Sequence, residues 1–357
     1  MSTCPGSCLN STLPQSYVPL NIDEHALRTW EDYRPSHQVG LDLWHVGHKA
    51  RAKVCRAFQE YLLTLPDDAS QMIRERQEVL RNAGMDEEDI AKMQAFFSDA
   101  YYNIVPTLFW TIYEVYSRPQ LLRDIRDEIA SKATIVVQQE SSSSSPLTPK
   151  GSGDADEEKG GALTLDVAAL KTKCAILLST YQETQRRRHE PATSRIVAED
   201  TLLDGRYLLK RGRWFQMPVQ PVHASRDIWG SDANVFNPYR FVDTPESETE
   251  IGDAKKKTKK VQPNAFLPWG APPYTCPARQ FVSIEVMAVV ALLVMQADLA
   301  PVGGQDWERD PATRRFEKAT LARPKKDVRV KLALREGAGK WDVVLGRSLA
   351  RIPLASG

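Results

Sequence analysis

The sequence predicts a mainly α-helical chain with small β-sheets, an α+β fold, on three observations. Apolar residues recur with helical period over 41–65, 85–117 and the run FVSIEVMAVVALLVMQ at 281–296. Short apolar segments alternate with glycine turns at Gly205 and Gly212 between 192 and 241, the pattern of small antiparallel strands. Two polar runs, 138–161 and 244–262, interrupt these patterns without burying anything.

The first forty residues, of which the first twenty are rich in Pro, Ser and Thr, are expected to be poorly ordered. The helical part follows over 41–137, opening with LDLWHVGHKARAKVCRAFQEYLLTL, in which Gly47 is a weak point. His45 and His48 lie one turn apart there, but no third ligand stands at helical spacing, so they are assigned to packing or surface. The span 85–117 reads as one spine helix, with an acidic first turn at Asp86, Glu87, Glu88 and Asp89 and an end before Pro119. Pro106 interrupts it, lacks a donor for the carbonyl of Tyr102, and is expected to kink it. Beside Asn103 such a break suits either a small polar guest or a tolerated bend. The run 138–161 is expected to be a disordered insertion and 244–262, with five lysines after ESETE, a solvated loop. A helix is expected from about Leu165 to Arg188, and PKKDVRVKLALRE reads as an edge strand.

Composition narrows the function. A length of 357 residues with 42% hydrophobic and 8% aromatic content supports a substantial core. A net charge of +1, from 47 basic and 46 acidic residues, provides no global field for nucleic acid. Five cysteines, Cys4, Cys8, Cys55, Cys174 and Cys276, are too few and scattered for a disulfide framework, which points to a reducing compartment. Cys4 and Cys8 have no second Cys/His pair at matching spacing and are assigned no metal. The start, MSTCPGSCLN, has neither a basic nor an apolar region, and no stretch is expected to span a membrane, so the chain reads as soluble.

Chemistry concentrates around Cys276, in FLPWGAPPYTCPAR at 266–279. Prolines and Gly270 precede it and an apolar helix begins just after it, so the cysteine stands at a helix entrance. Free N–H groups and the positive dipole end favour a thiolate there. The other reading is a buried structural cysteine. A second pattern, Glu183-Thr184-Gln185-Arg186, places a carboxylate and a guanidinium on one helical face, and a third, Phe236-Asn237-Pro238-Tyr239-Arg240-Phe241, follows.

Together these segments resemble the haem-thiolate cytochrome P-450 family over roughly residues 40–335. In the signature loop Trp269 falls on the aromatic position, Cys276 on the metal-ligating position, and Ala278 on the small residue, with Arg279 just beyond; Pro272 stands where Gly is usual and Tyr274 where a basic residue is usual. The resemblance implies a cytochrome P-450 fold, present as its C-terminal two-thirds with the N-terminal β-domain largely missing, and a haem-binding part over 162–357. It implies haem b (iron protoporphyrin IX) ligated by Cys276, with Trp269 and Ala278 against it and Arg195 on a propionate, while residues 191–194 face substrate. Glu183, Arg186 and Arg240 are implied to form a buried structural triad, with His223 structural as well. The stretch AFFSDAYYNIVPTLFW resembles a subgroup with sterol and oxysterol hydroxylases, prostacyclin synthase and many fungal enzymes. On that likeness Asn103 takes the alcohol position of the proton relay, Tyr102 the acid position, and Asp99 is a substitute acid.

The implied activity is monooxygenation, hydroxylating or epoxidising a lipophilic small molecule, such as a terpenoid, steroid or polyketide intermediate of fungal secondary metabolism. Dioxygen and electrons from NADPH-cytochrome P-450 reductase are the expected co-reactants. Alternatives are a haem-thiolate isomerase or dehydratase, motivated by Asn103, and an inactive truncated fragment acting as a binding protein. A full-length family member is expected on the cytoplasmic face of the endoplasmic reticulum membrane, through an anchor not found in this chain.

Overall fold

The computed structural model describes residues 46–97, 99–137, 162–190, 192–242, 263–313, 321–336, 338–339, 341–346 and 350–356. The expectations for residues 1–45, including Cys4, Cys8 and His45, for the insertions 138–161 and 244–262, and for Pro191 lie outside the described residues. The described residues up to Val105 form one compact unit and those from Pro106 onward a second.

The first unit is helical: α1 (Val46–Leu63), α2 (Gln71–Asn82), α3 (Glu87–Phe97) and the opening turns of α4 (Asp99–Tyr116). Ala50, Val54, Phe58 and Leu62, each one turn from the last, form the buried stripe of α1, and they share a core with Ile73 of α2 and with Ile90, Ala91 and Ala95 of α3. The acidic start of α3 is present: Glu87, Glu88 and Asp89 occupy its first turn, and the Asp86 carboxylate accepts the Asp89 N–H at 2.8 Å. His48 is exposed on α1, and no metal-binding group of His, Cys, Asp and Glu occurs among the described residues. Over 85–117 the structure has α3 and α4, with residue 98 outside the described residues. Pro106 lies inside α4, which runs on to Tyr116.

The second unit carries the rest of α4, then α5 (Pro119–Lys132), β1 (Thr134–Val137), β2 (Ala162–Asp166), α6 (Val167–Lys173) and α7 (Ala175–Arg188). Pro119 begins α5, where a missing N–H costs nothing, and Leu121, Ile125, Glu128 and Ile129 form its buried face. The single helix expected from Leu165 to Arg188 is corrected. The chain is a strand up to Asp166, whose carboxylate accepts from the N–H groups of Ala168 (2.8 Å) and Ala169 (3.1 Å) and so starts α6. The helical path then breaks at Cys174 (φ −92°, ψ 72°) before α7 begins.

Further along stand β3 (Ala192–Ile196), β4 (Thr201–Leu203), β5 (Tyr207–Leu209), β6 (Trp214–Pro218), α8 (Val219–His223) and α9 (Arg226–Trp229). They are followed by α10 (Arg279–Gln296), β7 (Ala297–Pro301), β8 (Val330–Leu334) and β9 (Trp341–Val344). The strands make four small sheets: β1-β2-β9, with β1 antiparallel and β9 parallel to β2, and the antiparallel pairs β3-β6, β4-β5 and β7-β8. The strand expected in PKKDVRVKLALRE is β8. Gly346, just after β9, has φ +66°, and a Cβ there would come within 2.8 Å of the Ala168 Cβ, so the turn onto α6 admits only glycine.

Contrary to the sequence expectation, one helix, α10, is long and apolar enough to cross a membrane by length and composition. Its Val282, Ser283, Val286, Met287, Val290, Ala291 and Val294 are buried within the unit, where α10 packs on α5, α6 and α7. The physical reason is that a core helix in contact with three others is apolar over most of its circumference.

A connection across the core orders α7. The buried carboxylate of Glu128 accepts the N–H of Ile176 at 3.0 and 3.1 Å and that of Leu177 at 3.1 Å, so α5 supplies the cap that α7 lacks from its own Cys174. A negative charge there also faces the positive end of the α7 dipole. Replacing Glu128 by Ala removes the acceptor and leaves buried donors unpaired; the expected loss is about 1–2 kcal/mol, read as a lower urea midpoint at unchanged slope.

Candidate functional site

The helix α7 is the origin of the site. Ten consecutive residues, Leu177 to Arg186, are buried, polar ones included. Burial of Glu183 is made tolerable by a complete set of donors. Arg186 grips its carboxylate with Nε and Nη2, each at 2.7 Å, and Arg240 places Nε at 3.2 and 3.1 Å from the two oxygens. The Asn237 N–H adds a further bond at 3.0 Å. The guanidiniums are satisfied in turn: Arg186 donates to the carbonyls of His223 (2.5 Å), Ala233 (2.8 Å) and Val235 (3.3 Å), and Arg240 donates to Asp232 (2.9 and 3.1 Å) and Trp229. The hydrogen bonds from Arg240 hold the Asp232 carboxyl below its ordinary pKa. Bidentate, charge-assisted bonds of this kind compensate the desolvation that an isolated ion pair would suffer.

His223 joins this network to the cysteine loop. Its Nδ1 lies 3.1 Å from the Arg186 carbonyl, and its Nε2 accepts the Leu267 N–H at 3.0 Å, which sets the ring as the Nδ1–H tautomer. Neutrality is enforced because burial pushes its pKa down to about 4. Phe266 packs on the ring, with centroids 5.5 Å apart, and on Trp229 and Phe241. The loop therefore enters from a fixed point.

Beyond Leu267 the chain turns sharply. Gly270 has φ +84°, and a Cβ there would stand 3.2 Å from the Tyr274 carbonyl, so a side chain would push against the turn. The Tyr274 N–H donates to Ala271 at 3.1 Å and the Cys276 N–H to the Trp269 carbonyl at 2.9 Å, which folds the cysteine back beside the tryptophan. The Cys276 carbonyl accepts from the Arg279 backbone N–H (3.5 Å) and Nη1 (3.2 Å) as α10 begins, with Ala278 as the residue before it. Cys276 carries a free, half-buried thiol.

Arg195 of β3 reaches this loop. Its Nη2 donates to the carbonyls of Ala271 (2.8 Å) and Pro272 (3.3 Å), and its guanidinium lies 5.0 Å from the centroid of the Tyr274 ring. The arginine thus supplies positive charge beside the position where a tyrosine replaces the expected basic residue. Cys276, Trp269, Ala278 and Arg195 are brought together by this loop, and Glu183, Arg186 and Arg240 by the network beneath it. Asp99 and Asn103 stand four residues apart on α4 in the unit that ends at Val105, where Asn103 is half-buried. A cleft of about 770 Å³ lined by Arg118, Arg187, Arg188 and Trp307, among others, contains none of the predicted site residues.

Whether these residues suit a haem can be judged from the loop itself. A free cysteine at a helix entrance offers a thiolate ligand, and the Trp269 indole nitrogen is shielded from solvent with no hydrogen-bond partner. A donor left bare in this position fits a bound group that brings an acceptor or a charge. Sequence reasoning missed the Glu128 cap, the His223–Leu267 bond and the pairing of buried Glu114 with Arg188 (3.0 Å), whose guanidinium also lies 4.0 Å from the Trp110 ring. Each links residues tens of positions apart, and no local pattern marks them.

Two expectations test the network. Glu183→Ala leaves two buried guanidiniums without their carboxylate and is expected to cost about 3–5 kcal/mol of unfolding free energy, measured by urea titration. Acid sensitivity is the second. Burial lowers the pKa of His189 to about 3 and of His223 to about 4, below the 6.5 of an exposed imidazole, so the unfolded chain binds more protons between these values. Stability is full above pH 6.5, declines as the pH falls, and has lost the His223 contribution by about pH 4, at about 1.4 kcal/mol per pH unit for each proton. Urea midpoints measured from pH 7 to pH 4 are expected to show this slope, made shallower by one proton in His223→Gln.

Comparison with known proteins agrees with this geometry. Residues 172–331 match the family model described as Cytochrome P450. The chain is 32% identical over 311 residues to the cytochrome P450 monooxygenase nodJ of Hypoxylon pulicicidum, a match covering 86% of this chain and 56% of that protein. It is 29% identical over 202 residues to the 7-alpha-hydroxycholest-4-en-3-one 12-alpha-hydroxylase of Homo sapiens, covering 55% of this chain and 36% of that one. A crystal structure of a cytochrome P450 (CYP102L1) superposes with a TM-score of 0.58 at 17% identity, over 87% of this chain and 61% of the other, which shows the fold. The chain spans about half the length of the curated relatives it matches. The triad, the cysteine loop and the fold agree with these matches, so the chain is similar to the cytochrome P450 family, whose model residues 172–331 match.

Proposed function

We propose that this chain acts in a haem-thiolate monooxygenase that hydroxylates or epoxidises a lipophilic small molecule. The observation that carries the reading is the free Cys276 thiol on a loop tied by backbone bonds to Trp269 and, through Leu267 and His223, to the buried Glu183 network. Haem, when bound, supplies the oxidising chemistry, and a thiolate ligand directs electron density toward the metal. The chain's own residues ligate and orient. Cys276 would ligate the iron, Trp269 and Ala278 would stand beside it on the same loop, and Arg195, which braces that loop at Ala271 and Pro272, would offer positive charge to a propionate. Asn103 and Asp99, one turn apart in sequence on α4, are the residues the family resemblance proposes for the proton relay. Haem b is the form expected, and a flavoprotein reductase using NADPH is the expected electron source.

The substrate class is read from the relatives. A 12-alpha-hydroxylase of a cholestenone, by its name, acts on a steroid, and the fungal nodJ places the chain near fungal monooxygenases. The substrate class proposed is a steroid, terpenoid or polyketide intermediate of secondary metabolism, the steroid supported by the hydroxylase name. The surface of the endoplasmic reticulum membrane is the proposed location of the full-length protein. The test is the difference spectrum of the dithionite-reduced protein with and without carbon monoxide, after expression with a haem precursor. A strongly red-shifted Soret band in the wild type, absent in Cys276→Ala, is the expected result; no band in either overturns the reading.

A further inference from the structure

The cleft of about 770 Å³ in the second unit is lined by no residue of the cysteine loop, and its charges are sorted by exposure. Its half-buried wall carries three arginines, Arg118, Arg187 and Arg188, beside one carboxylate, Glu114, whose side chain is 4% exposed. Glu114 is committed twice: it accepts from Arg188 at 3.0 Å and forms an ion pair with Arg118. Arg118 also lies 4.4 Å over the Phe236 ring and Arg188 4.0 Å over the Trp110 ring, so both guanidiniums are held in place. The acids Asp306, Glu308 and Asp310 stand with Arg309 on the exposed rim, where water and salt screen them. Asp310 reaches Arg188 at 2.9 Å and is 70% exposed. The inner wall therefore keeps more guanidinium than carboxylate.

Arg187 is the member of this wall left over. It lines the cleft half-buried and forms no hydrogen bond or ion pair among the described residues, although a guanidinium carries five donors and stays charged. Burial and the adjoining Arg186 guanidinium push its pKa below the ordinary arginine range. A place in the last turn of α7 gives it the favourable end of the helix dipole but no acceptor. A cation crowded by others and facing open space is the arrangement that an incoming anion relieves.

We propose that this cleft binds an organic phosphate, which Arg187 grips directly with Arg118 and Arg188 beside it. The planar fork of a guanidinium matches two phosphate oxygens at once, and a multiply charged group answers the excess of positive charge on the wall. The volume exceeds what a phosphate alone fills, and the half-buried Trp307 offers an apolar face to the organic part of the ligand. Asp310 competes with the ligand for Arg188 from the rim. The site stands apart from Cys276 and does not depend on haem.

The test is calorimetric titration of inorganic pyrophosphate into the full chain, in wild type, Arg187→Gln, Arg187→Lys and Asp310→Asn, with citrate as a carboxylate probe. Wild type is expected to bind pyrophosphate more tightly than citrate, with an affinity that falls as salt is added. Arg187→Gln is expected to lose about tenfold or more in affinity, the loss of one charge-assisted contact, and Arg187→Lys to recover part of it. Asp310→Asn, which releases Arg188, is expected to bind more tightly. Urea titration shows whether the fold is kept: without ligand the midpoint of Arg187→Gln is expected to equal or exceed that of wild type, because a crowded cation has been removed. Pyrophosphate is expected to raise the midpoint in wild type and not in Arg187→Gln. No binding by wild type, or equal affinity in wild type and Arg187→Gln, overturns the proposal. Citrate binding as tightly as pyrophosphate overturns the phosphate assignment in favour of a polycarboxylate. A lowered midpoint in Arg187→Gln with undiminished affinity overturns the site and leaves Arg187 as a helix-end residue.

Discussion

The Glu183 carboxylate, fully buried and held by Arg186, Arg240 and the Asn237 N–H, is the constraint on which the rest of the second unit depends. A charge in that position is tolerable only if every lone pair is answered, and answering them recruits residues from α7, from the Asn237–Arg240 turn and, through the guanidiniums, the carbonyls of His223, Trp229 and Ala233. Four separate segments are fixed by one carboxylate. The consequence of the network is rigidity beneath the cysteine loop.

That rigidity reaches Cys276 by a short path. Arg186 offers its carbonyl to His223, His223 accepts from Leu267, and the loop from Leu267 to Cys276 closes on itself through Trp269. The Leu267 link works only with a neutral imidazole, since a charged ring would present a donor to the Leu267 N–H. Burial enforces that neutrality, so the same desolvation that makes Glu183 demanding makes His223 a reliable acceptor. Arg195 braces the far side of the loop, where its guanidinium meets two carbonyls and a tyrosine ring.

The helices show how capping and packing share the work. Glu128 of α5 ends up at the start of α7, and α10 lies against α5, α6 and α7 with Val282, Val286, Met287, Val290 and Val294 buried. Its composition alone matches a membrane span, whereas its contacts make it a core element. Composition reports what a segment must avoid, which is water, and leaves open whether lipid or protein provides the shelter.

The sequence by itself determined the fold class, the family likeness, the cysteine and the E-x-x-R pair, because these rest on periodicity and on residues close together in the chain. It singled out Arg240 and Arg195, which the structure brings to the Glu183 carboxylate and to the Ala271 carbonyl, and it read the acidic opening of α3. It mistook 165–188 for one helix, because the Asp166 cap and the break at Cys174 are local geometries that an apolar pattern does not record. It assigned Tyr274 as a lost charge, and only the tertiary structure brought Arg195 over that ring. The Glu128 cap, the Arg186–His223–Leu267 relay and the bare Trp269 nitrogen were decided by tertiary structure for one physical reason. Hydrogen-bond satisfaction in a desolvated interior is settled among groups distant in sequence, and nothing in the order of residues announces which of them will meet.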